Sequence, residues 1–240
     1  MKQKILKAIQ GQKYEPGILG IFVNPFYFVR RALFENMQSL APQVKGRILD
    51  VGCGTKPYES LFTNASGYIG MDYDSPENRK IKQIDIFYDQ KTFPFKDGEF
   101  DGVIFTQVLE HVFNPDEFLD EVNRTLKLGG KILMSVPFVW DEHSQPHDYA
   151  RYSSFGVVHL LKSHGFEIIE HRKTLNDMRV MFQLLNCYIH KILPFKTYNA
   201  RLICYVVLIS PITILGIILA KILPKNDDLY MDNIILAKKT

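Results

Sequence analysis

The sequence predicts an α/β chain whose mostly parallel sheet carries helices on both faces, interrupted late by an apolar helical insertion. Three observations lead there. Short apolar runs alternate with stretches of helical periodicity through residues 24–170. The first of those runs, residues 47–51, ends in a tight turn with glycine at alternate positions, Gly52 and Gly54. Residues 202–220 then hold twelve Leu, Ile and Val and no charge.

In chain order, Ile5, Leu6 and Ile9 share one face of a short helix that Pro16 and Gly17 would break. Asn24 caps the next helix with Pro25 in its first position, and Phe28, Leu33, Met37 and Leu40 line one side of it. Residues 47–51 read as a buried strand, and Asp50, Gly52 and Gly54 stand where it must turn. Glycine there lets a ligand approach main-chain atoms without meeting a Cβ. Pro57 suits the first turn of a following helix. A second strand over residues 67–71 ends at Asp72, twenty positions beyond Gly52. That spacing suits an acid reaching a ribose diol, or a surface turn acid, since Asp74 and Ser75 follow. A third strand ends over residues 84–86, where Asp85 could accept a purine amine beside Ile86 or cap a turn. Residues 100–105 form a fourth strand. Asn114, Pro115, Asp116 and Glu117 start a helix with favourable cap and dipole, and Gly129 and Gly130 are expected to stop it. A fifth strand spans 131–136, Ser153 caps a helix closed by Gly165, and a sixth strand begins at Glu167.

A chain of 240 residues with 46% hydrophobic content can bury a sizeable core as one domain, here with an N-terminal helical cap (1–45) and an insertion (175–228). A net charge of +3 implies no nucleic-acid partner. Three cysteines, Cys53, Cys187 and Cys204, without a C-x-x-C pair argue against a disulfide framework or zinc site and suit a reducing cytoplasm. The N-terminus lacks the continuous apolar run of a secretory signal.

With these residues assembled, the chain resembles the class I S-adenosylmethionine-dependent methyltransferases over residues 47–174 and the final strand, 233–238. Asp50-x-Gly52-x-Gly54 resembles the family's first motif, Asp72 its ribose acid and Asp85-Ile86 its adenine-binding pair. Residues 100–111, ending Leu109-Glu110-His111, resemble the fourth-strand motif, and residues 124–130 the run before strand five. The resemblance implies a Rossmann-like seven-stranded sheet with an antiparallel last strand, and S-adenosylmethionine as cofactor. It assigns cofactor binding to Asp50, Gly52, Cys53, Gly54, Asp72, Tyr73, Asp85, Ile86, Thr106 and Gln107. One departure is Lys56-Pro57, where many members carry a further glycine; this implies a shortened or tilted first helix. Lys56 would either pair with the methionine carboxylate or lie exposed. The segment from Pro137 to Ser153 is similar to a subgroup associated with bacterial surface-glycan biosynthesis.

An oxygen acceptor wants a base near the transferred methyl. His143, His147 and His111 are the candidates, the first two following strand five, where parallel sheets place their sites. Alternatively Asp148 and Arg151 pin that loop and the histidines are merely exposed. No metal is expected, because the spacing of Glu110, His111 and the loop histidines is not diagnostic. Residues 202–220 are long enough to cross a ~30 Å hydrocarbon layer. A single crossing would separate the last strand from its sheet. Either a bent re-entrant hairpin forms at Pro211, the reading that Ser210 and Gly216 support, or residues 178–193 return the chain, although Arg179, His190 and Lys191 suit an interfacial helix better. Attachment to the cytoplasmic face of a membrane is expected. A buried helical pair or a homodimer interface is the other reading. The expected activity is O-methylation of a lipid-linked sugar or other amphipathic acceptor. A quinone- or lipid-modifying methyltransferase and a catalytically silent S-adenosylmethionine-binding module are the alternatives.

Overall fold

The computed structural model describes residues 8–195 and 197–240. The chain divides into two compact units, one of residues up to Glu35 with Lys173–Met231, the other Asn36–Arg172 with Asp232–Thr240. The expected cap is thus split: its part up to Glu35 groups with the insertion, and its remainder with the sheet. The helix face of Ile5 and Leu6 lies outside the described residues.

The sheet unit holds seven strands: β1 (Gly46–Val51), β2 (Ala65–Tyr73), β3 (Ile86–Tyr88), β4 (Phe100–Thr106), β5 (Leu126–Pro137), β6 (Phe166–Lys173) and β7 (Asp232–Lys239). Their order is β3-β2-β1-β4-β5-β7-β6. β1 runs parallel to β2 and β4, β2 to β3, and β4 to β5. β7 inserts antiparallel beside β5, pairing Met134 with Ile235. The order proceeds outward from β1 to β3 and then jumps back to β4. A crevice therefore opens at the C-terminal ends of β1 and β4, where such sheets bind ligands.

Residues two apart on each strand face the same side, and these sides are apolar. Leu49 and Val51, Val103 and Phe105, Ile132 and Met134, and Ile235 and Ala237 form one buried layer. They pack under Phe118, Leu119 and Val122 of helix α2 (Pro115–Thr125) and Val157 and Leu161 of helix α3 (Ser154–Ser163). As expected, Ser153 accepts from the Gly156 amide and Gly165 leaves α3 at a φ of +77°.

Two local expectations fail. After the glycine turn no α-helix forms; residues 54–58 turn, and a single 3-10 turn, Glu59–Leu61, leads into β2. Gly129 and Gly130 do not stop α2, which ends at Thr125, and β5 begins at once. The glycines instead form an irregularity in β5: Phe100 pairs with Leu126 but Gly102 with Lys131, so extra backbone must be accommodated, with Gly129 at positive φ.

The other unit is helical. Helix α1 (Tyr27–Leu40) has its first turn in this unit; Asn24 accepts from the Phe26 amide, and the buried Gln183 side chain accepts from the amides of Phe28 and Val29. Helix α4 (Arg179–Ile192) supplies that glutamine. Residues Tyr198–Ile222 form one continuous helix, α5. The bend expected at Pro211 is absent. A π-helical turn, Tyr205–Ile209, lies immediately upstream and accommodates the proline's missing N–H. The hairpin is made by the other candidate segment, α4, with α5: Asn186 donates to Thr213 at 2.9 Å, and Gly216 admits the Phe182 and Phe28 rings so closely that a Cβ would crowd them. Beyond α5, the amides of Asn226 and Met231 donate to the carbonyls of Asn176 and Thr174, returning the chain to where the hairpin began.

In the sheet unit, Arg124 clamps the segment before β4 to α2. It donates to both carboxylate oxygens of Glu121 at 2.7 Å and to the carbonyls of Phe93 (3.0 Å) and Phe95 (2.9 Å). Arg124→Ala should therefore lower stability in urea unfolding by about 2 kcal/mol, and Arg124→Lys should recover less than half, because an ammonium cannot fork. Unchanged unfolding midpoints would remove the clamp.

Candidate active site

β1 ends in the turn Gly52–Gly54, held by its own amides. Those of Gly52 and Cys53 donate to the Met71 carbonyl at 2.8 and 3.2 Å, and that of Gly54 donates to Asp72 Oδ2 at 3.0 Å. Gly52 and Gly54 both sit at positive φ (68° and 48°), which only glycine adopts without strain. A Cβ on Gly52 would strike Val108, so the loop after β4 lies directly against the turn; beside Gly54 there is open space within 4 Å. With these amides spent inside the protein, and the Cys53 carbonyl accepting from the Lys56 amide at 2.8 Å, an approaching ligand meets the open side of Gly54. A turn whose amides are already engaged offers no anion nest of the kind that cradles a phosphate.

Asp72, at the end of β2, is buried and accepts three hydrogen bonds, from the amides of Gly54 and Tyr73 and the side chain of Asn78. Desolvation pushes its carboxyl upward, against the pull of those donors. The Tyr73 ring beside it is exposed. Asp50 is turned the other way: Tyr68 donates to it at 2.7 Å beneath the turn, and burial raises it to about 7. Cys53 is buried, its sulfur against Gly70, and burial raises its thiol well above the usual range.

Lys56, expected to be exposed or on a cofactor carboxylate, is neither. Left-handed at φ 51°, it turns its side chain across Gly70, where a Cβ would meet its Cε, and pairs with Asp85. Asp85 also accepts from the Gly70 amide at 2.7 Å; burial pushes its carboxyl up, but Lys56 and that amide hold it below the usual carboxylate range. One oxygen of the expected adenine acid is therefore engaged inside the protein. Ile86 packs against the core beside it.

Thr106 ends β4, and its buried hydroxyl has no partner among the described residues. Gln107, left-handed at φ 57°, is anchored by Ser135 at 3.1 Å and Asp232 at 3.2 Å rather than lying free along the crevice. The orphaned hydroxyl, the open side of Gly54 and the desolvated Asp72 line the C-terminal ends of β1, β2 and β4. These residues fit an adenosyl cofactor.

Across the loops after β4 and β5, the structure brings Glu110, His111 and His143 together, their ligating atoms within 4.8 Å of one another. His147 contributes differently: its carbonyl accepts from His111 Nδ1, while its ring turns to the Tyr149 hydroxyl at 2.9 Å. Asp148 and Arg151 pin the loop as a two-pronged pair at 2.6 and 2.7 Å, and Arg151 also donates to the Asp141 carbonyl. The guanidinium holds the Asp148 carboxyl at about 2. Sequence reasoning placed Glu110 in a motif and considered it only as a metal ligand, which the spacing did not support. It is fully buried, and desolvation raises its carboxyl to about 8. Its setting between Leu109 and Val112 was the available signal for a buried acid. Burial also lowers His111 below its usual value.

Asp50 supplies a pH test. With a folded pKa near 7 against an unfolded 3.8, the folded chain holds more protons between those values. Stability therefore falls as pH rises from about 4 to 7, by up to roughly 1.4 kcal/mol per unit for this group. Melting temperatures of Asp50→Asn should gain on the parent across that window and run level above it; parallel curves would refute the buried, protonated carboxyl.

Comparison with known proteins bears on this geometry. The family model described as "Methyltransferase domain" matches residues 26–171, more than half of the chain. A Mycolicibacterium smegmatis protein named as an S-adenosylmethionine-dependent methyltransferase is 28% identical over 167 residues, 64% of each chain. The mitochondrial ubiquinone biosynthesis O-methyltransferase of Dictyostelium discoideum is 31% identical over 110 residues, 37% of this chain and 34% of that one. The chain thus spans less than two thirds of the length of these curated relatives. An S-adenosylmethionine-dependent methyltransferase from Mesorhizobium loti superposes with a TM-score of 0.54 at 15% identity, covering 87% of this chain and 98% of that one, a likeness of fold. The strand order, the glycine turn and the family match agree: the chain belongs to the class I S-adenosylmethionine-dependent methyltransferases.

Proposed function

We propose that this methyltransferase acts at a membrane surface on an oxygen of an amphipathic acceptor, a lipid-linked sugar in particular. When bound, S-adenosylmethionine supplies a methyl already activated on sulfur. The protein's part is then to hold the cofactor, orient an acceptor oxygen and exclude water. In this reading Asp72 accepts from the ribose hydroxyls, Asp85 and Ile86 border the adenine, and Thr106 and the carbonyls of the turn face the methionine portion. The residues at Glu110, His111 and His143 stand where an acceptor hydroxyl would lose its proton. A cleft lined by Tyr88, Phe113, Phe118, His147 and Tyr149 opens beside His111 and offers aromatic surface to an acceptor.

The observation that carries the membrane half is the exposed face of the helical unit. Ile203, Val207, Leu215, Ile218 and Ile222 of α5 and Met181, Leu185, Tyr188 and Ile192 of α4 are all exposed. Lys191, Arg201, Lys221 and Lys225 lie at the margins of this apolar stretch, where they can meet anionic headgroups. The similarity to a ubiquinone-pathway enzyme favours a second reading, a quinone-like ring as the acceptor.

Two outcomes are expected. Calorimetry with S-adenosylhomocysteine should show Asp72→Ala binding at least tenfold more weakly than the parent, as for lost hydrogen bonds to a charged acceptor; equal affinity would remove the ribose assignment. With vesicles carrying a bacterial lipid extract and methyl-labelled S-adenosylmethionine, the protein should float and label the organic phase. The double change Val207→Glu, Ile218→Glu should abolish flotation and labelling while sparing S-adenosylhomocysteine binding. A protein that stays at the bottom of the gradient, or labels only water-soluble material, would overturn the proposal.

A further inference from the structure

Glu110 is a costly arrangement on its own. Its side chain is fully buried, and neither carboxylate oxygen accepts a hydrogen bond from another residue among the described residues. A buried acid without partners is strongly unfavourable unless something else satisfies it. Beside it stand two imidazoles: His111 Nε2 lies 3.9 Å from Glu110 Oε1, and the His111 and His143 rings meet edge to face with centroids 4.7 Å apart.

The outer contacts of both rings fix which nitrogen keeps a lone pair. His111 Nδ1 meets the His147 carbonyl, which can only accept, so Nδ1 carries the proton and Nε2 keeps a lone pair. His143 Nδ1 meets the Asp141 carbonyl at 3.2 Å and the Asp148 carboxylate at 3.4 Å, with the same consequence. Asp148 is held in turn by Arg151 and by the His143 amide at 2.9 Å. An imidazole that donates through one nitrogen to a carbonyl or carboxylate, leaving the other bare, is the arrangement that orients metal-ligating histidines.

We propose that Glu110, His111 and His143 bind a divalent transition-metal cation through one carboxylate oxygen and the two Nε2 atoms, in place of the metal-free loop the sequence led us to expect. Two imidazoles and a carboxylate suit zinc, cobalt or iron(II) rather than calcium or magnesium, which prefer all-oxygen sites. Bonds of about 2.0–2.2 Å place such donor atoms roughly 3–3.5 Å apart, so side-chain rotations of about an ångström close the present cluster onto an ion. Three protein ligands leave a coordination position open to water or to an acceptor oxygen. That last link rests on the function proposed above; the cation site does not, and a metal titration reads the site alone.

The test uses the full chain, stripped with a chelator and titrated with zinc and, separately, with cobalt(II). One equivalent of zinc should bind, and cobalt(II) should give visible ligand-field bands of low coordination number. His143→Gln and Glu110→Gln should each weaken zinc at least 100-fold, and Asp148→Asn by about 10- to 100-fold through loss of ring orientation. His159→Gln, at an exposed histidine elsewhere, should change nothing. S-adenosylhomocysteine binding, retained in every variant, reports that each is folded. Should a variant fail to fold, diethylpyrocarbonate labelling of the parent decides: zinc must protect His111 and His143 but not His159. No stoichiometric zinc binding, undiminished affinity in the ligand variants, or unprotected His111 and His143 would each overturn the site.

Discussion

The hydrogen bond from the Gly54 amide to Asp72 is the constraint on which the rest of the cofactor corner depends. It ties the turn after β1 to the end of β2, two strands already in parallel register with Asp50 opposite Gly70. A turn pinned this way must carry glycine, because its φ values are left-handed and Val108 leaves no room for a Cβ at Gly52. The same pinning brings Lys56 back over Gly70 to Asp85, so a lysine side chain closes the underside of the corner where a helix was expected. The amides of the turn are then engaged inside the protein, and what remains open beside it is the free side of Gly54. Engaged amides do not form a phosphate cradle, a distinction that a glycine pattern alone does not make.

The second half of the site is organised by two loops at adjacent strand ends. The loop after β4 lies against the glycine turn through Val108, and the loop after β5 lies against the loop after β4, where the Glu110 carbonyl accepts from the amides of Tyr149 and Ala150. Asp148 and Arg151 stiffen this second loop from within. Rigidity here has a chemical consequence. A carboxylate and two imidazoles can stay close together in a desolvated place only if the backbone that carries them cannot relax away.

How much of this was legible depended on whether the signal was local. Strands β1, β4 and β5, the capping Asn24 and Ser153 and the spacing from Gly52 to Asp72 are local patterns, and the elements they predicted exist with boundaries shifted by a few residues. Gly129 and Gly130 were misread because a glycine pair after a helix serves equally as a stop and as an irregularity in a strand, and only pairing with β4 decides between them. Lys56 and Asp85 are 29 positions apart in sequence, and nothing local joins them. Glu110 was visible as a residue but not as a buried one, since its burial comes from β5, β7 and the loop around Asp148. His143 and His147 looked equivalent in the sequence; the fold separates them by sending one ring to the cluster and the other to Tyr149.

The helical unit constrains how the chain could meet a bilayer. Because Asn226 and Met231 return to Asn176 and Thr174, whatever the hairpin enters it must also leave on the same side. At 1.5 Å per residue, α5 with 25 residues is about 37 Å long, but α4 with 14 residues reaches only about 21 Å. A transmembrane hairpin needs two arms that each cover ~30 Å, and α4 is too short and carries His190 and Lys191 in its last turn. The length of α5 alone therefore argues less for crossing than it does in isolation. Its buried face, Tyr205, Ile209, Thr213 and Gly216, is already used within the unit, and the opposite face is the one that the proposed membrane attachment would use. Within the proposed attachment, a hairpin resting in one leaflet satisfies both the unequal arms and the returning chain, whereas a hairpin crossing the bilayer satisfies only the second.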